Sequence, residues 1–138
     1  MSEQHEEQLF RELIDSSQRK RLLTLRKLKN RQKLLSYLPH SIRFDQRYTL
    51  AIPANQQSSK QILSLLLKQG SPQKVYVLSE DPKIDSQTLD IQDVMAHIVG
   101  SGFASIVSCI PGQLAYYEGE EANNRIILKK PHSSSSNG

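Results

Sequence analysis

Residues 3–38 contain neither glycine nor proline, and this absence restricts what the start of the chain can form. The segment is rich in Leu, Arg, Lys, Glu and Gln, which all favour helix, and it stops at Pro39. Asp15, Ser16 or Ser17 can cap a new helix inside it, so one bent helix and a helix pair both agree with the pattern. The sequence therefore predicts a long N-terminal helix or a helix pair.

The pattern changes after a linker at 41–47. Hydrophobic runs typical of strands now alternate with two amphipathic helices, one capped by Ser58 and one by Asp90. Pro111 and Gly112 mark a hairpin turn. The predicted strands lie at 48–54, 74–80, 103–110, 113–120 and 125–130.

This order, β-α-β-α-β-β-β, predicts an α+β fold. We expect a small mixed sheet of about five strands, with parallel and antiparallel pairs and with helices packed on it. The corresponding domain boundaries are a helical basic region at 1–40, the linker at 41–47, an α/β domain at 48–130 and a disordered polar tail at 131–138.

The single cysteine, Cys109, excludes an intramolecular disulfide and a zinc site built from cysteines. No apolar run approaches the roughly 18 residues that a membrane helix needs, and the first residues lack a secretory signal. We therefore expect a cytoplasmic protein with no transmembrane segment, no metal and no cofactor. Cys109 itself lies inside an apolar strand and is interpreted as a structural residue.

Positive charge is concentrated in residues 18–33, which include eight Lys or Arg residues and no acidic residue. By contrast, residues 1–15 are mainly acidic, and the chain from Tyr48 onward is close to neutral. The candidate contacts for nucleic acid or for an acidic protein partner are Arg19, Lys20, Arg26, Lys27, Lys29, Arg31 and Lys33.

A helical wheel separates the leucines of this segment into two stripes. One stripe contains Leu22, Leu25, Leu28 and Leu35, and basic residues lie between it and the second stripe. Two apolar stripes fit a helix with neighbours on two sides better than a helix lying flat on a membrane. The first stripe is therefore a candidate helix–helix interface, in a homo-oligomer or in a larger complex.

Three interpretations of the basic residues stay open at this stage. They form a solvated face, a surface that binds nucleic acid, or a surface that pairs with an acidic protein. No aromatic residue is available in the run for base stacking, so nucleic-acid binding would be dominated by phosphate contacts with little sequence preference. Asn30 and Gln32 are the uncharged side chains of the run suited to reading base edges.

Two loops are weaker candidates for chemistry. Asn55, Ser58, Ser59 and Lys60 follow a strand and open a helix, which is a position where anions bind, although ordinary helix capping also explains these residues. The acids Glu80, Asp81 and Asp85 follow the second predicted strand and are candidate metal ligands or catalytic acids, but no histidine can be paired with them from the sequence.

The strand at 113–120 places Tyr116 and Tyr117 on opposite faces, so one of them is expected in the core and the other on an acidic contact patch. Taken together, these patterns favour a non-enzymatic binding or regulatory protein with no catalytic residues. An assembly or adaptor subunit that uses the leucine stripe is the alternative, and a small-ligand or phosphate-binding α/β domain is a weaker one.

Overall fold

The computed structural model describes residues 2–121 and 124–131. The predicted disordered tail lies outside these residues, apart from Pro131. Within them, no helix is long and apolar enough to cross a bilayer. The helices are α1 Ser2–Glu12, α2 Ser16–Lys27, α3 Arg31–Leu35, α4 Ser59–Lys68 and α5 Ile91–Ile98, with a 3-10 turn at Gln46–Tyr48. The strands are β1 Thr49–Ala51, β2 Lys74–Ser79, β3 Thr88–Asp90, β4 Ser105–Ile110, β5 Leu114–Glu118 and β6 Arg125–Lys129.

The strands form one sheet in the order β1-β6-β5-β4-β2-β3. The predicted α+β class is confirmed, with helices first and the sheet after them. The sheet differs from the expectation in two details, because it has six strands and every pairing is antiparallel. The additional strand, β3, is only three residues long and pairs with β2 at an edge of the sheet.

The connection from β1 to β2 explains why no parallel pair forms. A strand–helix–strand order commonly gives parallel neighbours, but here β6, β5 and β4 separate β1 from β2. β1 instead pairs with β6, with Leu50 opposite Ile127. The helix α4 therefore crosses the sheet, and hairpins supply most of the pairing.

Both faces of the sheet are covered by helices. Alternate residues of β2 show this, because Tyr76 and Leu78 belong to one hydrophobic core while Val75 and Val77 belong to the other. α1, α2 and α3 pack on the first face, and α4 and α5 pack on the second. The basic N-terminal region thus shares a core with the sheet and forms one layer of a three-layer structure.

The N-terminal region consists of three helices, and each break has a local cause. Asp15 caps α2 by accepting the Ser17 N–H at 3.1 Å, and the preceding residue, Ile14, pairs with Phe44 in an isolated β-bridge. The second break follows Leu28, where Lys29 adopts a left-handed conformation with φ of 59°. The segment 41–47 is anchored, because Phe44 and Asp45 are both buried.

Candidate functional site

The basic segment divides its cations into an inner and an outer set. The inner set consists of Arg19, Arg26 and Arg31, which turn towards acids contributed by other parts of the chain. Arg19 shows the pattern: its Nη2 lies 3.3 Å from Asp45 Oδ2, and its Nε donates to the Ile14 carbonyl at 2.7 Å. This arginine joins α2 to the 41–47 segment.

Arg26 and Arg31 converge on Glu6 of α1. Arg31 Nη1 donates to Glu6 Oε2 at 2.6 Å, and its Nε and Nη2 donate to the two oxygens of Asp85 at 2.9 and 2.7 Å. Arg26 is held less closely, with Nε 3.4 Å from Glu6 Oε1 and Nη2 donating to the Glu3 carbonyl at 2.9 Å. Arg26 Nε is also buried without a hydrogen-bond partner in the described chain.

Glu6 is only 6% exposed, and its carboxylate also accepts a hydrogen bond from the Tyr76 hydroxyl. Burial together with this hydrogen bond raises the pKa of Tyr76 to about 12, so the hydroxyl stays a donor. Burial alone would lower the pKa of Arg31, but the hydrogen bonds to Asp85 and Glu6 raise it above its usual value. These groups form a neutralised network that fastens α1, α2 and α3 to the sheet.

The outer set remains exposed to solvent. Within residues 2–121 and 124–131, none of its members forms an ion pair; Arg21 makes only a long hydrogen bond of 3.4 Å to the Tyr37 hydroxyl. We call this set the cationic face. It consists of Lys20, Arg21, Lys27, Lys29 and Lys33.

Residue type explains the division between the two sets. A planar guanidinium binds carboxylates through two parallel hydrogen bonds, as Arg31 does with Asp85, whereas an ammonium group is more strongly hydrated and stays in water. Four of the five members of the cationic face are lysines. Of the seven predicted contact residues, three form ion pairs within the fold: Arg19, Arg26 and Arg31. The other four remain exposed for binding: Lys20, Lys27, Lys29 and Lys33.

The turn between α2 and α3 lies within the cationic face. The Lys29 N–H donates to the Arg26 carbonyl and the Asn30 N–H to the Leu25 carbonyl, both at 3.0 Å, which closes α2 with a Schellman motif. Glycine usually occupies the left-handed position that Lys29 takes here. Leu28, 70% exposed, is the most exposed large apolar side chain among the described residues.

The predicted leucine interface is mostly used inside the chain. Leu22 and Leu25 are buried in the core beneath α2, and Leu35 packs against the same core. Only Leu28 points to solvent. The stripe that suggested a helix–helix contact thus packs on the chain's own sheet, because α2 and α3 lie on that face.

The candidate anion loop forms a helix cap. The Ser58 hydroxyl accepts the Gln61 N–H at 3.2 Å, and Gln61 Oε1 accepts the Ser58 N–H at 3.2 Å, a complete capping box. The Gln61 side chain also donates to the Asn55 carbonyl. Ser59 and Lys60 begin α4 beside this cap, and the cap explains the loop without a bound anion.

The two candidate loops do not meet. Four strand spacings separate the end of β1 from the end of β2, which is about 19 Å at the usual spacing between strands. Glu80 accepts the Ala104 N–H, and Asp85 binds Arg31. These acids connect elements of the fold, and among the described residues no group of three or more His, Cys, Asp or Glu side chains is arranged to hold a metal ion.

Asp81 has a partner that sequence reasoning missed. His97 Nε2 lies 2.7 Å from Asp81 Oδ2, and this hydrogen bond lowers the pKa of the buried Asp81 carboxyl. The two residues are 16 positions apart on a loop and a helix, and no sequence pattern relates them. Asp81 also accepts the Lys83 N–H at 3.0 Å, so the pair stiffens the loop after β2.

The two tyrosines of β5 are both buried. Tyr116 lies in the core under α4 and α5, and Tyr117 lies in the core under α1 to α3. They do occupy opposite faces, but neither forms the predicted exposed patch, because helices cover both sides of the sheet. The Tyr116 hydroxyl donates to Glu118 at 2.6 Å and the Tyr117 hydroxyl to the Leu38 carbonyl at 2.5 Å.

Two open cavities of about 610 and 640 Å³ flank the start of β6, and both are lined by Arg125 and Ile126. The Arg125 guanidinium donates to Glu118 and to the Gln57 carbonyl, each at 3.2 Å. The charge of Arg125 is therefore neutralised within the chain, but the first cavity is also lined by Arg43, which forms no ion pair within residues 2–121 and 124–131, and by the acid Asp15.

Comparison of the chain with family models, with curated proteins and with solved structures gives no match in any of the three. The chemistry of the surface is therefore the basis for inferring function.

Proposed function

We propose that this protein is a non-enzymatic binding protein that holds the phosphate backbone of a nucleic acid on its cationic face. One observation carries the proposal. Arg19, Arg26 and Arg31 are neutralised by Glu6, Asp45 and Asp85, whereas the cationic face is exposed and unpaired in the described chain.

The spacing of the exposed cations suits a polyanion. Lys20 and Lys27 lie two helical turns apart on the outer side of α2, about 10 Å along its axis, and Lys29 in the following turn and Lys33 in α3 add two further exposed cations. Exposed charges of one sign attract phosphates and release condensed counterions on binding. The face carries no aromatic side chain, so contacts to the backbone would supply most of the affinity.

The test is a fluorescence-anisotropy titration of a labelled oligonucleotide at several salt concentrations. The variant Lys27→Gln/Lys33→Gln removes two charges from the cationic face. The matched control Lys60→Gln/Lys68→Gln removes two exposed lysines from α4 in the opposite layer. We expect the first variant to reduce the slope of log affinity against log salt by about 0.9 per lost contact on duplex DNA, and the control to leave it unchanged.

Two results would overturn the proposal. The first is the absence of measurable binding at low salt, and the second is an equal loss of affinity in both variants. Poly-glutamate, added as a competitor, tests the alternative of an acidic protein partner. If it binds more tightly than the oligonucleotide at matched charge, the acidic-partner alternative replaces the nucleic-acid proposal.

A further inference from the structure

A cavity of about 340 Å³ opens between α1 and the turn that joins α2 to α3. Its volume is at the lower end of the roughly 300–1,000 Å³ range of ligand sites. Leu25 and Leu34, both 3% exposed, contribute buried apolar surface to its lining. Lys27 and Lys29 line it from the cationic face. The cavity thus lies where the proposed nucleic-acid surface would place its ligand.

The charges of the cavity favour a neutral group inside it. Arg26 and Arg31 line the wall, but Glu6 pairs with both of them and Asp85 pairs with Arg31. Glu3 also lines the cavity and disfavours a phosphate within it. The unpaired positive charge belongs to the exposed lysines, and the interior is apolar or neutralised. A neutral planar group with anionic groups on either side complements this arrangement.

Asn30 adds a group that can read such a ligand. Its side-chain oxygen caps α3 by accepting the Lys33 N–H at 3.3 Å, which leaves its two amide N–H groups without a partner among the described residues, and Asn30 lines the cavity. Asparagine amides commonly bind the acceptor groups on base edges. A nucleobase is neutral and planar, carries such acceptors, and is flanked by phosphates.

We infer that this cavity takes one unstacked base of a single-stranded nucleic acid, with the flanking phosphates on Lys27 and Lys29. The inference rests on the proposed function and specifies its substrate class. A base within a duplex is stacked and paired, and it would have to leave the helix to enter the cavity. Single strands present their bases without that penalty. The protein therefore prefers single strands to duplexes.

The test compares a labelled single strand, its duplex, and single strands with abasic sites, all at one salt concentration. We expect the intact single strand to bind about fivefold more tightly than the duplex, and we expect abasic sites to remove that advantage. This part of the test needs no protein variant, so it does not depend on any substitution being tolerated.

A pair of variants locates the effect in the protein. Asn30→Ser keeps a capping oxygen for α3 and removes the amide N–H groups, whereas the control Gln32→Ser changes an exposed amide two residues away that does not line the cavity. We expect Asn30→Ser to weaken single-strand binding about threefold or more, with duplex binding and thermal midpoint unchanged. Gln32→Ser should leave single-strand binding unchanged.

Equal affinity for single strand, duplex and abasic strand, with normal salt dependence, would overturn the cavity inference and leave the proposed function intact. A matched loss in both variants would also overturn it. If no nucleic acid binds at low salt, the proposed function fails and the cavity inference fails with it.

Discussion

The two helical layers on opposite faces of the sheet are stabilised by different interactions. The buried residues of α4 and α5 are all apolar. The layer of α1 to α3 also buries Glu6 and Gln18, and it holds three arginines in ion pairs. A strongly basic layer can therefore pack on an apolar sheet. Its inward cations are neutralised by Glu6 of the same layer and by Asp45 and Asp85 from other parts of the chain, and the surplus charge remains on the outer side.

The largest expected effect on stability is in the layer of α4 and α5, which we call the apolar layer. Ile98 of α5 is fully buried, and Ile98→Ala should reduce the free energy of unfolding by about 2–5 kcal/mol through lost burial and a residual cavity. No charge is involved, so the loss should be the same at low and high salt. Denaturant unfolding at two salt concentrations measures this loss of free energy. A loss that depended on salt would contradict the view that apolar packing alone stabilises this layer.

An intermediate effect on stability is expected in the layer of α1 to α3, which we call the charged layer. Glu6→Gln keeps the shape of the side chain and an acceptor for Tyr76, but it removes the charge that Arg26 and Arg31 share. We expect the free energy of unfolding to fall by about 1–3 kcal/mol, and by less at high salt, because salt screens the repulsion left among the cations. The same unfolding experiment measures this change.

Glu7→Gln is the matched control for Glu6→Gln. Glu7 pairs with Arg11 on the exposed side of α1, at 3.0 Å. Such exposed pairs contribute about 0.5 kcal/mol or less. Equal losses of unfolding free energy in the two variants would show that the buried Glu6 network stabilises its layer no more than an exposed ion pair does.

The smallest expected change in the free energy of unfolding is an increase. Lys29→Gly should raise the free energy of unfolding by about 1 kcal/mol, because glycine relieves the left-handed backbone at that position. The same variant should weaken nucleic-acid binding, since one exposed cation is lost. Thermal unfolding and anisotropy measure the two changes, and together they separate stability from function at one residue.

Lys29→Ala serves as the control, because it removes the charge and retains the β-carbon. It should weaken binding to the same extent without stabilising the protein. A stabilisation by alanine equal to that by glycine would mean that backbone strain at Lys29 is not the cause.

Local patterns in the sequence were sufficient to predict most of the elements. The capping residue Ser58, the apolar spacing in α5 and the turn at Pro111 and Gly112 each predicted an element that the structure contains. Strand β3 was missed because three residues do not show a period. The break at Lys29 was missed because neither glycine nor proline marks it.

Ion pairs between residues far apart in the chain could not be predicted from the sequence. Arg31 binds Glu6 and Asp85, which are 25 and 54 residues away, and nothing in the local pattern around Arg31 identifies either acid. The type of residue did carry a usable signal. Within residues 18–33, the cations turned inwards are all arginines, and the chemistry of the guanidinium group favours that role.

The position of α1 in the chain has a consequence for how the protein is made. His5 bonds to Ser108, 103 residues further along, and α1 packs its apolar side chains on strands that are synthesised much later. At roughly 5–20 residues per second, ribosomes need on the order of 5–20 s to produce that partner surface. During that interval Leu9 and Phe10 have no sheet to cover them. The apolar side of the nascent α1 is consequently open to chaperones and to aggregation until those strands emerge.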